Sequence, residues 1–331
     1  MKEMRKLQIT KGGTYIATLP KEWIESLGLS RGSPITLGME NGEIWISKPG
    51  QRPQVEPREI DAESFGDRKL LEMGIMASYI QGHDVTRITS GNPGNREWKT
   101  WARDALKGLV GIEIWDDSSD SIKLQNLIDP YKFDLTKMME KFSANCASVL
   151  TDAISSLVTQ NAGLASDAFD RGNELTRTYR MLMRLAMLSS KEKDLRKHFG
   201  FLSLSEVIVT VIAIREMGRI AYYAMRTAQH VPEIKGSISD AMGEKLHQME
   251  KVTSDMQRKA FFSFMNRSLK VASQVIDTMP KVRNLYAQIH ESSDFTKLAS
   301  RLPMALIIRD IRAVAGYAVA LADDAVLGIF S

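Results

Sequence analysis

Cysteine is nearly missing from this chain: Cys146 stands alone among 331 residues. That excludes an internal disulfide framework and a cysteine-ligated zinc site, and it fits a reducing, intracellular setting. Aromatic residues are scarce at 7%, whereas Met reaches 18. Such a balance suits helix-rich packing better than sandwiches and barrels, where aromatic and β-branched residues lead. Long hydrophobic runs are lacking too. The basic opening MKEMRKLQIT has no apolar stretch behind it, so no signal peptide is expected. The longest tempting run, Val207 to Ile214, is closed by Arg215, well short of the ~20 residues a bilayer needs. A soluble, cytoplasmic protein without membrane insertion is expected. No Gly-x-Ser-x-Gly elbow, Walker loop or dinucleotide fingerprint is present, so no catalytic residue and no cofactor are expected.

What is there suffices for a sizeable core: 44% of the residues are hydrophobic and 25% charged, and the length allows two or three domains. From Met4 to Lys48 the pattern predicts two β-hairpins around one short helix. Residues Met4 to Thr10 and Thr14 to Leu19 alternate across a Gly12-Gly13 turn. Pro20 opens a helix over Lys21 to Leu27 and Gly28 closes it. Pro34 to Gly38 and Glu43 to Ser47 then pair around Asn41-Gly42. A module this small struggles to bury enough apolar surface alone. Leu7, Ile9, Ile16, Leu19, Trp23, Leu27, Leu29, Ile35, Leu37, Ile44 and Ile46 are therefore expected to share a core with a second copy, which makes a homodimer.

The run TKGGTYIATLPKEWIESLGLSRGSPITLGMENGEIWI resembles the AbrB/SpoVT family of swapped-hairpin DNA-binding modules, above all in Leu19-Pro20-Lys21-Glu22-Trp23, Leu27-Gly28-Leu29 and Gly32-Ser33. The resemblance implies an intertwined dimer that presents bases from its loops and first strand to double-stranded DNA. The bases available here are Lys2, Arg5, Lys6, Lys11, Lys21 and Arg31. Against them stand only Glu3, Glu22 and Glu25, so the first 31 residues carry most of the chain's net charge of +4. Lysines and arginines on phosphates supply much of the affinity for a duplex and its salt dependence.

Ser47 to Arg58, SKPGQRPQVEPR, is a proline-bearing polar stretch that reads as an extended linker, placed at 51–60 between domains. A small α/β region is expected over 61–130: a helix at Ser64 to Gln81, a strand at Val85 to Thr89, a helix at Arg96 to Leu109, and strands at Gly111 to Trp115 and Ser121 to Leu124. The acidic turn Asp116-Asp117-Ser118-Ser119-Asp120 lacks the glycine and closing glutamate of a calcium loop and reads as a hairpin turn with solvated carboxylates. Ser90-Gly91-Asn92-Pro93-Gly94-Asn95 lacks the Gly-Lys-Ser/Thr of a phosphate loop and reads as a turn.

From Phe133 onward the three- and four-residue spacing of apolar side chains predicts six long helices, near 135–160, 163–190, 202–229, 237–264, 266–291 and 299–327. Pro280 and Pro303 should kink or restart a helix. Gly218-Arg219-Ile220-Ala221-Tyr222-Tyr223-Ala224 matches Arg312-Ala313-Val314-Ala315-Gly316-Tyr317-Ala318, a weak repeat that predicts two three-helix bundles, 131–232 and 233–331. The whole is thus expected to be multidomain and mainly α.

That repeat, with Asn173-Glu174-Leu175-Thr176-Arg177-Thr178-Tyr179, resembles the PhoU family of phosphate-signalling proteins. The stretch LVGIEIWDDSSDSIKLQNLIDP resembles the region ahead of it in fusions of an AbrB-like head with a PhoU-like body. PhoU bundles carry acidic pairs four residues apart that ligate metal, but the matching positions here are Gly218 with Tyr222 and Arg312 with Gly316, so no metal cluster is expected. Asp170 and Glu174 keep the spacing on another helix, where a solvated face is the plain reading, and Asp277 is expected to pair with Lys281. His83, His198, His230, His247 and His290 show no ligand spacing, and Cys146 falls on an apolar helical face.

The resemblances imply a DNA-binding transcriptional regulator of phosphate uptake, with a dimeric head on operator DNA and a helical body sensing phosphate status. The alternative is a signalling adaptor whose body binds a phosphate transporter or kinase while the head only dimerises. Small residues such as Ala213, Gly218 and Ala221 could pack against partner helices in either case.

Overall fold

The computed structural model describes residues 3–40, 43–47, 57–92 and 96–330 and divides into two compact units, Met1–Val55 and Glu56–Ser331. In the first, β1 (Gln8–Ile9) and β2 (Tyr15–Ile16) form a short antiparallel hairpin, with Gln8 opposite Ile16. Gly13, at φ +82°, takes the left-handed place in its turn. The six-residue α1 (Lys21–Ser26) follows Pro20 and is closed by Gly28 at φ +62°. Then β3 (Thr36–Glu40) pairs antiparallel with β4 (Glu43–Ser47). The expected Asn41-Gly42 turn lies outside the described residues. The two hairpins remain separate two-stranded sheets, and the first ladder is only two residues deep, shorter than the alternation suggests. A lone hairpin with no sheet to join is marginal.

The second unit opens with a strand, β5 (Arg58–Asp61), at the end of the stretch read as linker. Its pairing is non-local: β5 runs parallel to β6 (Val85–Thr89). Between them lie α2 (Ala62–Phe65) and α3 (Arg68–Ile80). The single helix expected at 64–81 is broken because Gly66 sits at φ +70° and Asp67 caps α3 by accepting from the Leu70 N–H at 2.8 Å. After α4 (Glu97–Leu106), the hairpin β7 (Ile112–Asp117) and β8 (Ser121–Asn126) completes a sheet of order β5-β6-β8-β7. Leu71, Ile75, Tyr79, Trp98 and Ala102 of the helices cover Ile60, Ile88, Ile122 and Leu124 of the strands.

The helices follow as α5 (Leu135–Val158), α6 (Ala162–Lys191), the short α7 (Lys193–His198), α8 (Leu204–His230), α9 (Asp240–Asn266), α10 (Leu269–His290), the short α11 (Ser293–Lys297) and α12 (Arg301–Leu327). Asp134, Asn161, Ser203 and Ser239 each cap a long helix with a side-chain oxygen, which satisfies an otherwise orphaned N–H. Pro303 lies in the first turn of α12, where its missing N–H is harmless, whereas Pro280 lies inside the unbroken α10. The first bundle is α5, α6 and α8; the second is α9, α10 and α12. They join side by side, α8 on α12 and α5 on α9, around one continuous apolar core.

Candidate nucleic-acid interface and helical seam

Of the candidate DNA-binding residues of the first unit, Lys11 and Arg31 lie on turns, Lys21 starts a helix, and Arg5 and Lys6 lie ahead of the first strand. Lys11 follows the β1 strand in a turn held by the Gly13 N–H bonding to Thr10 O at 3.0 Å. Arg31 lies in a second tight turn, fixed by the Ser30 N–H donating to Ser33 Oγ at 2.9 Å and by Gly32 at φ +84°. Lys21 opens α1, and its ammonium stands 3.5 Å from Glu25, a loose exposed pair. Lys6 is exposed, and Arg5 is partly occupied by an ion pair with Glu3. Lys2 lies outside the described residues. Exposed cations on short loops can reach phosphates at little desolvation cost.

The apolar residues of the same unit are poorly covered. Of the predicted core only Leu29 is buried, whereas Leu37 is 64% and Ile44 75% exposed, and the neighbouring Met39 is 80% exposed. Alternating strand residues, apolar yet open to solvent, are what half of a shared core looks like.

In the second unit, the internal repeat becomes a contact. Tyr223 of α8 and Tyr317 of α12 occupy equal places in the two repeats and stack on each other, centroids 5.6 Å apart at 21°. Tyr222 meets Tyr223 edge-on at 5.2 Å. Gly218 is needed for packing inside the first bundle, since a Cβ there would stand 2.4 Å from the Tyr179 ring of α6. Ala213 and Ala221 are likewise buried in the shared core. The small residues thus serve helix packing within this chain.

Two buried carboxylates mark the seam of α8 and α12. Asp310 has no exposed surface; Arg309 donates to its Oδ1 at 2.8 and 3.0 Å, and Arg226 of α8 stands 3.4 Å from Oδ2. Asp324, 6% exposed, has no hydrogen-bond partner on Oδ2. Burial, and then the nearby Glu216 and Asp323, push its carboxyl up to about 7. Burial also raises Glu216, against the pull of Arg215 and Arg219. The signal that could have revealed these acids is their place in the apolar register of α12, Asp310 beside Ile307, Ile311 and Val314.

The other acidic candidates are surface features. Asp170 is exposed and Glu174 pairs with Arg177 at 3.1 Å. Asp277, expected to meet Lys281, accepts from Ser273 Oγ at 3.2 Å. Asp117 of the acidic turn is not merely solvated: Lys99 and Arg103 of α4 hold it at 2.6 and 2.5 Å. Among the described residues no group of three His, Cys, Asp or Glu is placed to hold a metal ion. Cys146 is buried, and burial pushes its thiol up. His230 faces Glu233 at 2.9 Å, and His290 lies between Tyr286 and Phe295. No described helix is long and apolar enough to cross a membrane.

A family model described as antidote-toxin recognition MazE, bacterial antitoxin, matches residues 8–54, and the PhoU domain model matches residues 139–231. The chain is thus similar to a MazE-type antitoxin module over its first unit and to a PhoU domain over its first bundle. Among solved structures it is similar to PhoU from Pseudomonas aeruginosa, at 14% identity and a TM-score of 0.49, over 59% of this chain and 95% of that one. It is also similar to the phosphate transport system regulatory protein PhoU from Streptococcus pneumoniae, at 13% identity and a TM-score of 0.49, over 60% and 96%. No curated protein matches the sequence. The PhoU match covers the first bundle, and the head match spans both hairpins of the first unit.

Proposed function

We propose that this MazE/AbrB-headed PhoU protein is a non-catalytic, cytoplasmic transcriptional regulator of phosphate uptake. Its head pairs with a second copy and binds operator DNA, and its helical body senses phosphate status. The observation that carries the reading is the head itself: cations on exposed turns beside apolar strands left uncovered in a single chain. Burying those strands against a second copy creates a two-fold head and presents two equivalent sets of Lys2, Arg5, Lys6, Lys11, Lys21 and Arg31. A roughly palindromic site follows from that symmetry.

Binding of the purified protein to genomic DNA fragments with competitor, at two salt concentrations, tests this. Selective retention of a few fragments that weakens steeply with salt, and is lost in Arg5→Ala/Lys11→Ala, supports it. Uniform weak retention favours a signalling adaptor, in which the body binds a phosphate transporter or kinase and the head serves only for dimerisation.

A further inference from the structure

At Asp310 the seam between α8 and α12 carries more positive charge than its packing needs. A single guanidinium neutralises a buried carboxylate, yet Asp310 takes two. Arg309 spends its Nε and one Nη on Asp310 and stays 47% exposed. Arg226 stands 3.4 Å from the other oxygen of Asp310, places an Nη 3.5 Å from His230 Nε2 and retains 23% exposure. The arrangement has the logic of a built receptor: a fully buried anion fixes the orientation of two planar cations, with one Nη of Arg309 outside that pairing and one N–H left on each Nη of Arg226 beyond its contacts to Tyr222 and His230.

Aromatic surface adjoins these cations. Arg226 lies 5.5 Å over the Tyr222 ring and donates to the Tyr222 hydroxyl at 3.3 Å. Tyr222 is 42% exposed, at the open end of the row Tyr222, Tyr223, Tyr317. The tyrosine pair also lies within electrostatic reach of Arg309, whose basicity is raised chiefly by Asp310 and in smaller part by Tyr223 and Tyr222, against partial burial. The exposed Arg215 and Arg219 continue the same α8 face, at the spacing of one helical stripe with Tyr222 and Arg226.

We propose that this seam is a binding site for a nucleoside polyphosphate, with Arg226 and Arg309 taking the phosphates and Tyr222 stacking on the base. Phosphate suits guanidinium forks because two N–H groups match two oxygens. A base adds a π-face that an exposed tyrosine can cover. The site does not depend on the head or on operator binding, so its failure would leave the DNA-binding reading standing, and the reverse holds too.

Titration calorimetry on the full-length protein at fixed ionic strength, with ATP, tripolyphosphate and inorganic phosphate as separate probes, tests the proposal. ATP should bind most tightly. Arg309→Gln should weaken both ATP and tripolyphosphate by about tenfold or more, the size of a lost charged hydrogen-bond pair. Tyr222→Leu should weaken ATP while leaving tripolyphosphate unchanged. A thermal melt of each variant establishes folding, and if Arg309→Gln does not fold, the Tyr222→Leu comparison decides. Absence of ATP binding at millimolar concentration overturns the proposal. So does ATP binding that neither substitution alters, and so does equal binding of ATP and tripolyphosphate with no effect of Tyr222→Leu.

Discussion

Asp324 is the residue whose ionisation works against the fold. Its carboxyl is shifted from 3.8 to about 7, so between those values the folded chain holds a proton that the unfolded chain has released. Stability contributed at this site is therefore greatest at the acid end, falls as pH rises through that window, and levels off above it. Glu216, also raised, adds to the same trend. Asp104 and Asp117, both lowered by their cationic partners, pull the other way, so the informative quantity is the difference between wild type and Asp324→Asn. The stability gap in favour of the variant should widen by about 2 kcal/mol between pH 5 and pH 8. Urea midpoints at the two pH values measure this, and equal midpoints at both would show that the folded carboxylate has a compensating partner.

A single side chain also ties two parts of the second unit together. Arg184 of α6 is 1% exposed and donates to Tyr79 O at 2.7 Å, His83 O at 3.0 Å and Asp84 Oδ1 at 2.6 Å. Its neighbours Arg180 and Lys191 bond to Gly108 O and Gln81 O, so one helix mounts the whole sheet region on the first bundle. Arg184→Met should cost about 3 kcal/mol by leaving carbonyls and a carboxylate unpaired. Arg184→Lys should recover little, because an ammonium cannot span three acceptors held in fork geometry. Hydrogen exchange would show lost protection first at the end of α3 and in the loop to β6.

At the scale of elements, periodicity was a good guide wherever a segment was long. All six long helices fall within three residues of the expected ends, because each has an apolar stripe facing one shared core and a Ser, Asp or Asn cap at most starts. Short or non-local elements were less legible. The strand Arg58–Asp61 has only one buried residue, Ile60, and exists because it finds β6 some 28 residues away in register. The break at Gly66 is a local φ requirement hidden inside an apolar pattern. The head cations could be named from composition and resemblance, whereas the Asp310 and Asp324 seam arises only when two distant helices meet. Close helix contact also fixes residues that look featureless: Gly218→Ala would drive a methyl into the Tyr179 ring. A loss of about 1 to 3 kcal/mol is expected from such overpacking. A thermal melt reads it, and Tyr179→Leu in the same chain should restore part of the loss by clearing the space.

For the molecule as a whole, the decisive surface is the one the single chain leaves bare. Ile9, Ile16, Leu37, Met39 and Ile44 are all at least 46% exposed on two separate hairpins, an amount of open apolar strand that a 50-residue module has no other means of covering. The second unit, by contrast, closes its own core, so loss of pairing through the head should leave the helical body folded. Ile44→Asp places a charge in the proposed shared core and, if the heads pair, should convert a two-copy species into one copy by light scattering, with helical circular dichroism unchanged. If the two-fold head is what reads DNA, the same variant loses selective fragment retention although every cation of the head remains. A variant that stays two-copy would move the pairing surface to the body; one that becomes single-copy yet keeps selective retention would show that each head reads its site alone.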